Sequence, residues 1–157
     1  MQKITPFLWF DGNAEEAVKF YVSTFKNSKV VSLNRVGKGA HLPAGTVMSA
    51  TFKLEGQDFY ALNGGPMFKF SPAISFFVTC KTQAEVDKLW EKLAKGGVKQ
   101  QCGWVQDKFG VSWQIIPDTL TKLMGDKNPK KSAAVMQAML QMTKIDIKGL
   151  KKAYAEA

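Results

Sequence analysis

The chain has 157 residues, 45% of them hydrophobic, which is enough for one well-packed domain and too few for two ordinary ones. Lys and Arg outnumber Asp and Glu by 22 to 13, and from Thr119 onward eight lysines face three acidic residues, so over half of the net +9 lies in the last quarter. Lys rather than Arg supplies nearly all of that charge, so it reads as a solvated helical surface rather than as phosphate forks, and a nucleic-acid partner is not expected.

The N-terminal apolar run is broken at Thr5 and Pro6, too short and too interrupted for a signal or spanning segment, so a soluble cytoplasmic chain without membrane contact is expected. Ile4 to Phe10 predicts a strand that stops at the turn dipeptide Asp11-Gly12. Its period of two sets Thr5, Phe7 and Trp9 on one face and Leu8 and Phe10 on the other. Asn13 with Glu16 three residues on predicts a reciprocal N-terminal cap, and Ala17, Phe20, Tyr21 and Phe25 follow as an aromatic helical stripe. Lys29 to Val36 and Val47 to Leu54 predict strands separated by a mobile Gly/Pro loop that holds the lone histidine, His41. The second of these turns through Glu55-Gly56-Gln57 into Asp58 to Asn63, a hairpin whose second arm places Phe59, Ala61 and Asn63 on one face.

Ala73 to Val78 predicts another strand, and Thr82 with Glu85 another capping box, leading to Val86, Leu89, Trp90 and Leu93 before Gly96-Gly97 ends the helix. A shift of 69 lays Asn13 on Thr82, Glu16 on Glu85, Phe20 on Leu89 and Tyr21 on Trp90, so the unit recurs. Cys80 and Cys102 form no Cys-x-x-Cys pair and no disulfide framework, which fits a reducing compartment. After Trp104-Val105-Gln106, the turn Asp107-Lys108-Phe109-Gly110 feeds a short bounded strand, Val111 to Ile116, closed by Pro117. Val111, Trp113 and Ile115 share a core-like face; Ser112, Gln114 and Ile116 share the other. Beyond it the pattern becomes helical, with Asp118, Asn128 and Asp146 as candidate caps. Four of the seven methionines fall between 124 and 142, a stripe that either packs back on the sheet or docks on a second subunit. The subunit is favoured, giving a homodimer to which the C-terminal helices contribute.

Asp107 and Gly110 in the turn, Gln114 four residues after that glycine, and the wording Phe-Gly-Val-Ser-Trp-Gln resemble the last strand of a module in the vicinal-oxygen-chelate group of glyoxalase, fosfomycin-resistance, bleomycin-resistance and ring-cleaving dioxygenase proteins. They are most similar to its PhnB-like, demethylubiquinone-methyltransferase-like branch. The resemblance implies an α+β fold of paired βαβββ modules with a C-terminal helical extension. Residues 1–157 are then one glyoxalase-like domain, with module one at 3–66, module two at 70–117 and a helical tail at 118–157. Leu8 and Phe10, and Phe76 and Val78, are expected to face the helices. The opposite parity, with Ala61 and Asn63 placed in it, lines a cleft between the modules. Metal-dependent members hold their ion at four positions that fall here on or near Thr5, Asn63 or Ala61, Ala73 or Ser75, and Gln114, none a His or a carboxylate.

The expected function is therefore binding of a small molecule without a catalytic metal and with no cofactor. The expected contacts are Thr5, Phe7, Trp9, Asn63, Ser75, Phe77, Trp104, Ser112 and Gln114, mostly aromatic or neutral polar, a composition suited to a ligand pocket. The alternative on the same scaffold is a metal-dependent lyase, isomerase or dioxygenase. No Gly-x-Gly-x-x-Gly stands between strand and helix, no P-loop is present, and nothing fixes a base beside Cys102.

Overall fold

In the computed structural model, which describes residues 2–157, the strands form two four-stranded sheets. The chain divides into two compact units, the first ending at Phe70 and the second beginning at Ser71. The first unit runs β1 (Phe7–Phe10), α1 (Ala14–Thr24), β2 (Lys29–Arg35), β3 (Val47–Leu54) and β4 (Gln57–Asn63), in the spatial order β1-β4-β3-β2. The second opens with β5 (Ser75–Cys80), α2 (Gln83–Ala94), β6 (Val98–Lys99), β7 (Trp104–Gln106) and β8 (Ser112–Pro117), in the order β5-β8-β7-β6. First and last strands pair in parallel in both, so the recurring grammar is one βαβββ module used twice.

Each unit builds its core between sheet and helix. Leu8, Phe10, Phe52 and Phe59 of the sheet and Ala17, Val18 and Tyr21 of α1 are all buried. So are Val105, Trp113 and Ile115 of the second sheet and Val86, Leu89, Trp90 and Leu93 of α2. Burying a large apolar side chain contributes about 1.5–3 kcal/mol, so each of these clusters is a substantial source of stabilisation. Trp113 and Ile115 pair in register with Phe76 and Val78, which confirms the helix-facing parity expected for the second module.

Three local expectations are revised. The first strand begins at Phe7 rather than Ile4, because Pro6 has no N–H to give a ladder and Ile4 is exposed. The strand expected from Ala73 begins at Ser75, where its pairing with Ser112 starts. Asn13 makes no side-chain cap; its backbone lies outside the extended region that capping requires. In the second module the expected box forms, with Thr82 Oγ1 accepting from the Glu85 N–H at 3.2 Å and Glu85 Oε2 accepting from the Lys81 N–H at 2.8 Å.

The C-terminal helices α3 (Asp118–Met124), α4 (Pro129–Leu140) and α5 (Ile147–Ala155) belong to the second unit. Asn128 and Asp146 cap α4 and α5 as their sequence positions predict, whereas Asp118 is the first residue of α3 and makes no cap. Ile116, Leu120, Val135, Ile145 and Leu150 form a buried cluster, against which Met124, Met139 and Met142 pack. The methionine stripe thus divides: Met139 and Met142 turn back into their own chain, while Met136 and Leu140 stay exposed.

Backbone and side-chain bonds tie this tail to the module. The N–H groups of Cys102 and Gly103 donate to the carbonyls of Met142 and Thr143, both at 2.8 Å. Gln83 donates to the Ile145 carbonyl at 3.0 Å and accepts from the Ile147 N–H at 2.8 Å, while Lys144 pairs with Asp87 at 2.9 Å. Gly103 sits at φ +80, and a Cβ there would lie 2.8 Å from Ile116 Cδ1 and 2.9 Å from the Ile115 carbonyl oxygen. Left-handed strain and overpacking act together at this position. Gly103→Ala is expected to lower unfolding free energy by about 3 kcal/mol, measured by urea denaturation; an unchanged midpoint would remove Gly103 as the docking point.

Candidate ligand-binding site

The turn before β8 is closed by a buried carboxylate. Asp107 Oδ1 accepts from the backbone N–H groups of Phe109 at 2.9 Å and Val111 at 3.1 Å, and Oδ2 accepts from the indole N–H of Trp113 at 2.8 Å. With Trp113 held on the helix side, the alternation of the strand turns Ser112 and Gln114 to the opposite face. Gln114 pairs in register with Phe77 on one side and with Trp104 on the other. Its amide N–H donates to Ser75 Oγ at 3.0 Å. Four of the expected contacts, Ser75, Phe77, Trp104 and Gln114, are therefore neighbours on one face of the second sheet.

Three of them open onto a pocket of about 440 Å³ within the second unit. The sheet supplies Phe77, Cys102, Trp104, Gln114 and Ile116; the helical tail supplies Leu120, Thr121, Met124, Gly125 and Met139. The volume falls in the range of about 300–1,000 Å³ that small-molecule sites occupy. No lysine, arginine, carboxylate or imidazole lines it, so Cys102 is its one titratable side chain. The tail half of this lining was not legible as a site, since methionine and leucine at helical spacing look the same whether they face a core or a cavity. Cys102 stood out in the sequence as a thiol near Trp104; the left-handed φ of +60 that its tail bond accompanies did not.

Ser112, also expected as a contact, is buried, and its Oγ is the one buried side-chain polar atom without a hydrogen-bond partner among the described residues. It pairs with Ser75 across the parallel ladder, one alternation away from Gln114.

The remaining expected contacts belong to the first unit. Phe7 is exposed and meets Tyr60 edge-on at 5.9 Å. Trp9 donates its indole N–H to the Gly65 carbonyl at 2.9 Å and sits edge-on to Phe68 at 5.0 Å. A Cβ at Gly64 would lie 2.3 Å from the Trp9 ring, so glycine is what lets the indole lie there. Thr5 precedes β1 and is partly buried.

Ala61 and Asn63 are relocated. They pair in parallel register with Leu8 and Phe10 and so share the helix-facing side, not the open one. Asn63 is buried, its Oδ1 accepting from the Ala14 N–H at 2.9 Å and its Nδ2 donating to the Val47 carbonyl at 2.8 Å. It thus does the work expected of Asn13, satisfying the first free N–H of α1 from across the sheet.

These placements bear on a divalent ion. The four positions at which a metal would be held carry neutral hydroxyl, methyl or amide groups, and the Asn63 amide is already engaged on both sides. Among the described residues no three His, Cys, Asp or Glu side chains are grouped to hold a metal. Such a donor set does not fit a hard or borderline cation, which needs anionic or imidazole ligands in number. Cys80 lies apart from this face, fully buried, its thiol pushed up to about 12, chiefly by burial and secondarily by the Glu85 charge.

A family profile described as 3-demethylubiquinone-9 3-methyltransferase matches residues 2–116. Among solved structures, the chain is similar to a putative 3-demethylubiquinone-9 3-methyltransferase, a PhnB protein from Bacillus cereus, at 42% identity over 74% of this chain and 99% of that one, with a TM-score of 0.71. A Pseudomonas aeruginosa protein is 23% identical over 74% and 98%, with a TM-score of 0.62. A fosfomycin-resistance protein from Listeria monocytogenes, solved with Mn(II) and sulfate, is 15% identical over 72% and 90%, with a TM-score of 0.50. The last two are likenesses of fold. No curated protein matches the chain.

Two outcomes follow from the side-chain placements. Asn63→Ala, which strips partners from a buried N–H and a buried carbonyl, is expected to lower stability by about 2 kcal/mol or more in chemical denaturation; a loss under half of that would mean the amide is dispensable to the fold. Iodoacetamide on the folded protein is expected to label one thiol, Cys102, as located by peptide mass mapping, with Cys80 labelled only after unfolding.

Proposed function

We propose that this chain, which belongs to the 3-demethylubiquinone-9 3-methyltransferase (PhnB-like) family of glyoxalase-like fold, is a small-molecule-binding protein whose ligand enters the pocket of the second unit. The observation that carries this reading is the lining itself: an apolar, aromatic and methionine-rich wall with one placed amide, Gln114, and no charge. A largely apolar cavity with a few convergent hydrogen-bonding groups is the usual form of a ligand site. Chemistry that moves protons needs a base within hydrogen-bond reach of the reacting atom. The lining offers a thiol and no carboxylate, imidazole or amine, so binding is the role it supports.

Within this reading Gln114 and Trp104 are the principal contacts, with Phe77 beside them and Ser75 orienting the amide. Ser112 lies on the same face but is buried beneath it and outside the pocket lining, so its side chain is not assigned a contact. Phe7 and Trp9 offer aromatic surface on the first unit, and Thr5 a hydroxyl. Asn63 is assigned to the fold instead.

The test is a thermal-shift screen of small metabolites and antibiotics on the full chain, repeated on Gln114→Leu and Trp104→Ala. A hit is expected to weaken at least about tenfold in each variant, as loss of a buried hydrogen-bonding or aromatic contact implies. Hits that bind both variants as well as the wild type would place the ligand elsewhere.

A further inference from the structure

We infer that the C-terminal helices are the specificity-determining wall of this pocket, restricting it to uncharged, flat aromatic ligands that carry a polar group to hydrogen-bond Gln114. The inference rests on the binding role proposed for the pocket and adds what selects its occupant.

Half of the lining comes from residues after Pro117, and the family match ends at residue 116. The Bacillus cereus relative is 99% accounted for by 74% of this chain, so the remainder of this chain has no counterpart there. The shared module therefore supplies the amide and the aromatic rings, and the added helices supply the opposing surface. That surface is firmly seated, through the Cys102 and Gly103 backbone bonds, the two Gln83 bonds and the cluster around Ile145 and Leu150.

The tail carries eight lysines and presents none of them to the pocket. Lys122, next to the lining residue Thr121, pairs with Asp118 at 3.0 Å; Lys144 pairs with Asp87; and Lys131 lies 4.5 Å over the Tyr154 ring. A ligand charge would lose water here and find no counter-charge, which selects neutral molecules. Met124 and Met139 add polarisable sulfur to a lining that already holds the Trp104 and Phe77 rings, a combination that suits an aromatic ligand. One of the two Gln114 amide N–H donors serves Ser75, so the amide still has its carbonyl as acceptor and its second N–H as donor, either of which can bond a neutral hydroxyl on the ligand.

The probes are 2-naphthol and 2-naphthoate, which share one flat frame and differ in charge. Their binding to the full chain is read as protection of Cys102 from iodoacetamide near neutral pH. The naphthol is expected to protect at about fivefold or more lower concentration than the naphthoate. Thr121→Lys, at an exposed lining position, and Met124→Lys as a second variant are each expected to shift the preference toward the naphthoate by about fivefold, the worth of one partly exposed ion pair. Equal protection by both probes in the wild type overturns the selectivity of the wall and leaves the pocket as a binding site. The same conclusion follows from an unchanged preference in both variants with melting temperatures close to wild type. Protection by neither probe, in wild type or variants, overturns the restriction to flat aromatic ligands, while the binding role stands or falls separately on the thermal-shift screen.

Discussion

The Asp107 carboxylate is taken out of water and held by three N–H groups, two from the turn it closes and one from the indole of Trp113. A buried charge is tolerated only when its hydrogen-bonding capacity is met, and meeting it here fixes several things at once. The turn cannot open without stranding its own amides. Trp113 cannot leave the helix side of the sheet without withdrawing its indole N–H from Asp107 Oδ2. Because strand side chains alternate, that constraint reaches the other face, where Gln114 stands between Phe77 and Trp104 and bonds to Ser75. The polar group of the pocket is thus positioned by an interaction on the opposite side of the strand.

The two modules solve one problem by different means. Each must satisfy the free N–H groups at the start of its helix. In the second, Thr82 and Glu85 do so locally. In the first, Asn63 does so from the end of β4, which the parallel pairing with β1 brings beside Ala14. Two amides near the ends of last strands therefore have unlike roles. Asn63 pairs with Phe10 and faces the helix; Gln114 pairs with Phe77 and faces away. The same comparison explains why a metal does not fit, since one of the expected donor positions is taken up by the fold and the others are neutral.

The tail completes the second module by covering the end of β8 with its own cluster. Gly103 is where the two meet, a position at which a side chain would collide with Ile116 and the Ile115 carbonyl. The helices that bury Ile116 also stand opposite Gln114 and Trp104, so stability and the shape of the pocket draw on the same contacts.

By itself the sequence determined what depends on near neighbours. The strand and helix periods, the Thr82, Asn128 and Asp146 caps, the Asp107 turn, the recurrence of one module and the absence of metal-binding side chains at four positions were all readable along the chain. Tertiary structure decided what depends on pairing between distant segments. Alternation states that Ala61 and Asn63 share a face, but the register of β4 against β1, set by residues some fifty positions apart, decides that this face meets the helix. Period alone likewise left the methionine stripe undecided, and docking at Gly103 turned Met139 toward the pocket while Met136 stayed in solvent. The physical reason is common to both cases: a local pattern specifies which side chains stand together, and only the long-range contacts that close the sheet and seat the tail specify what they stand against.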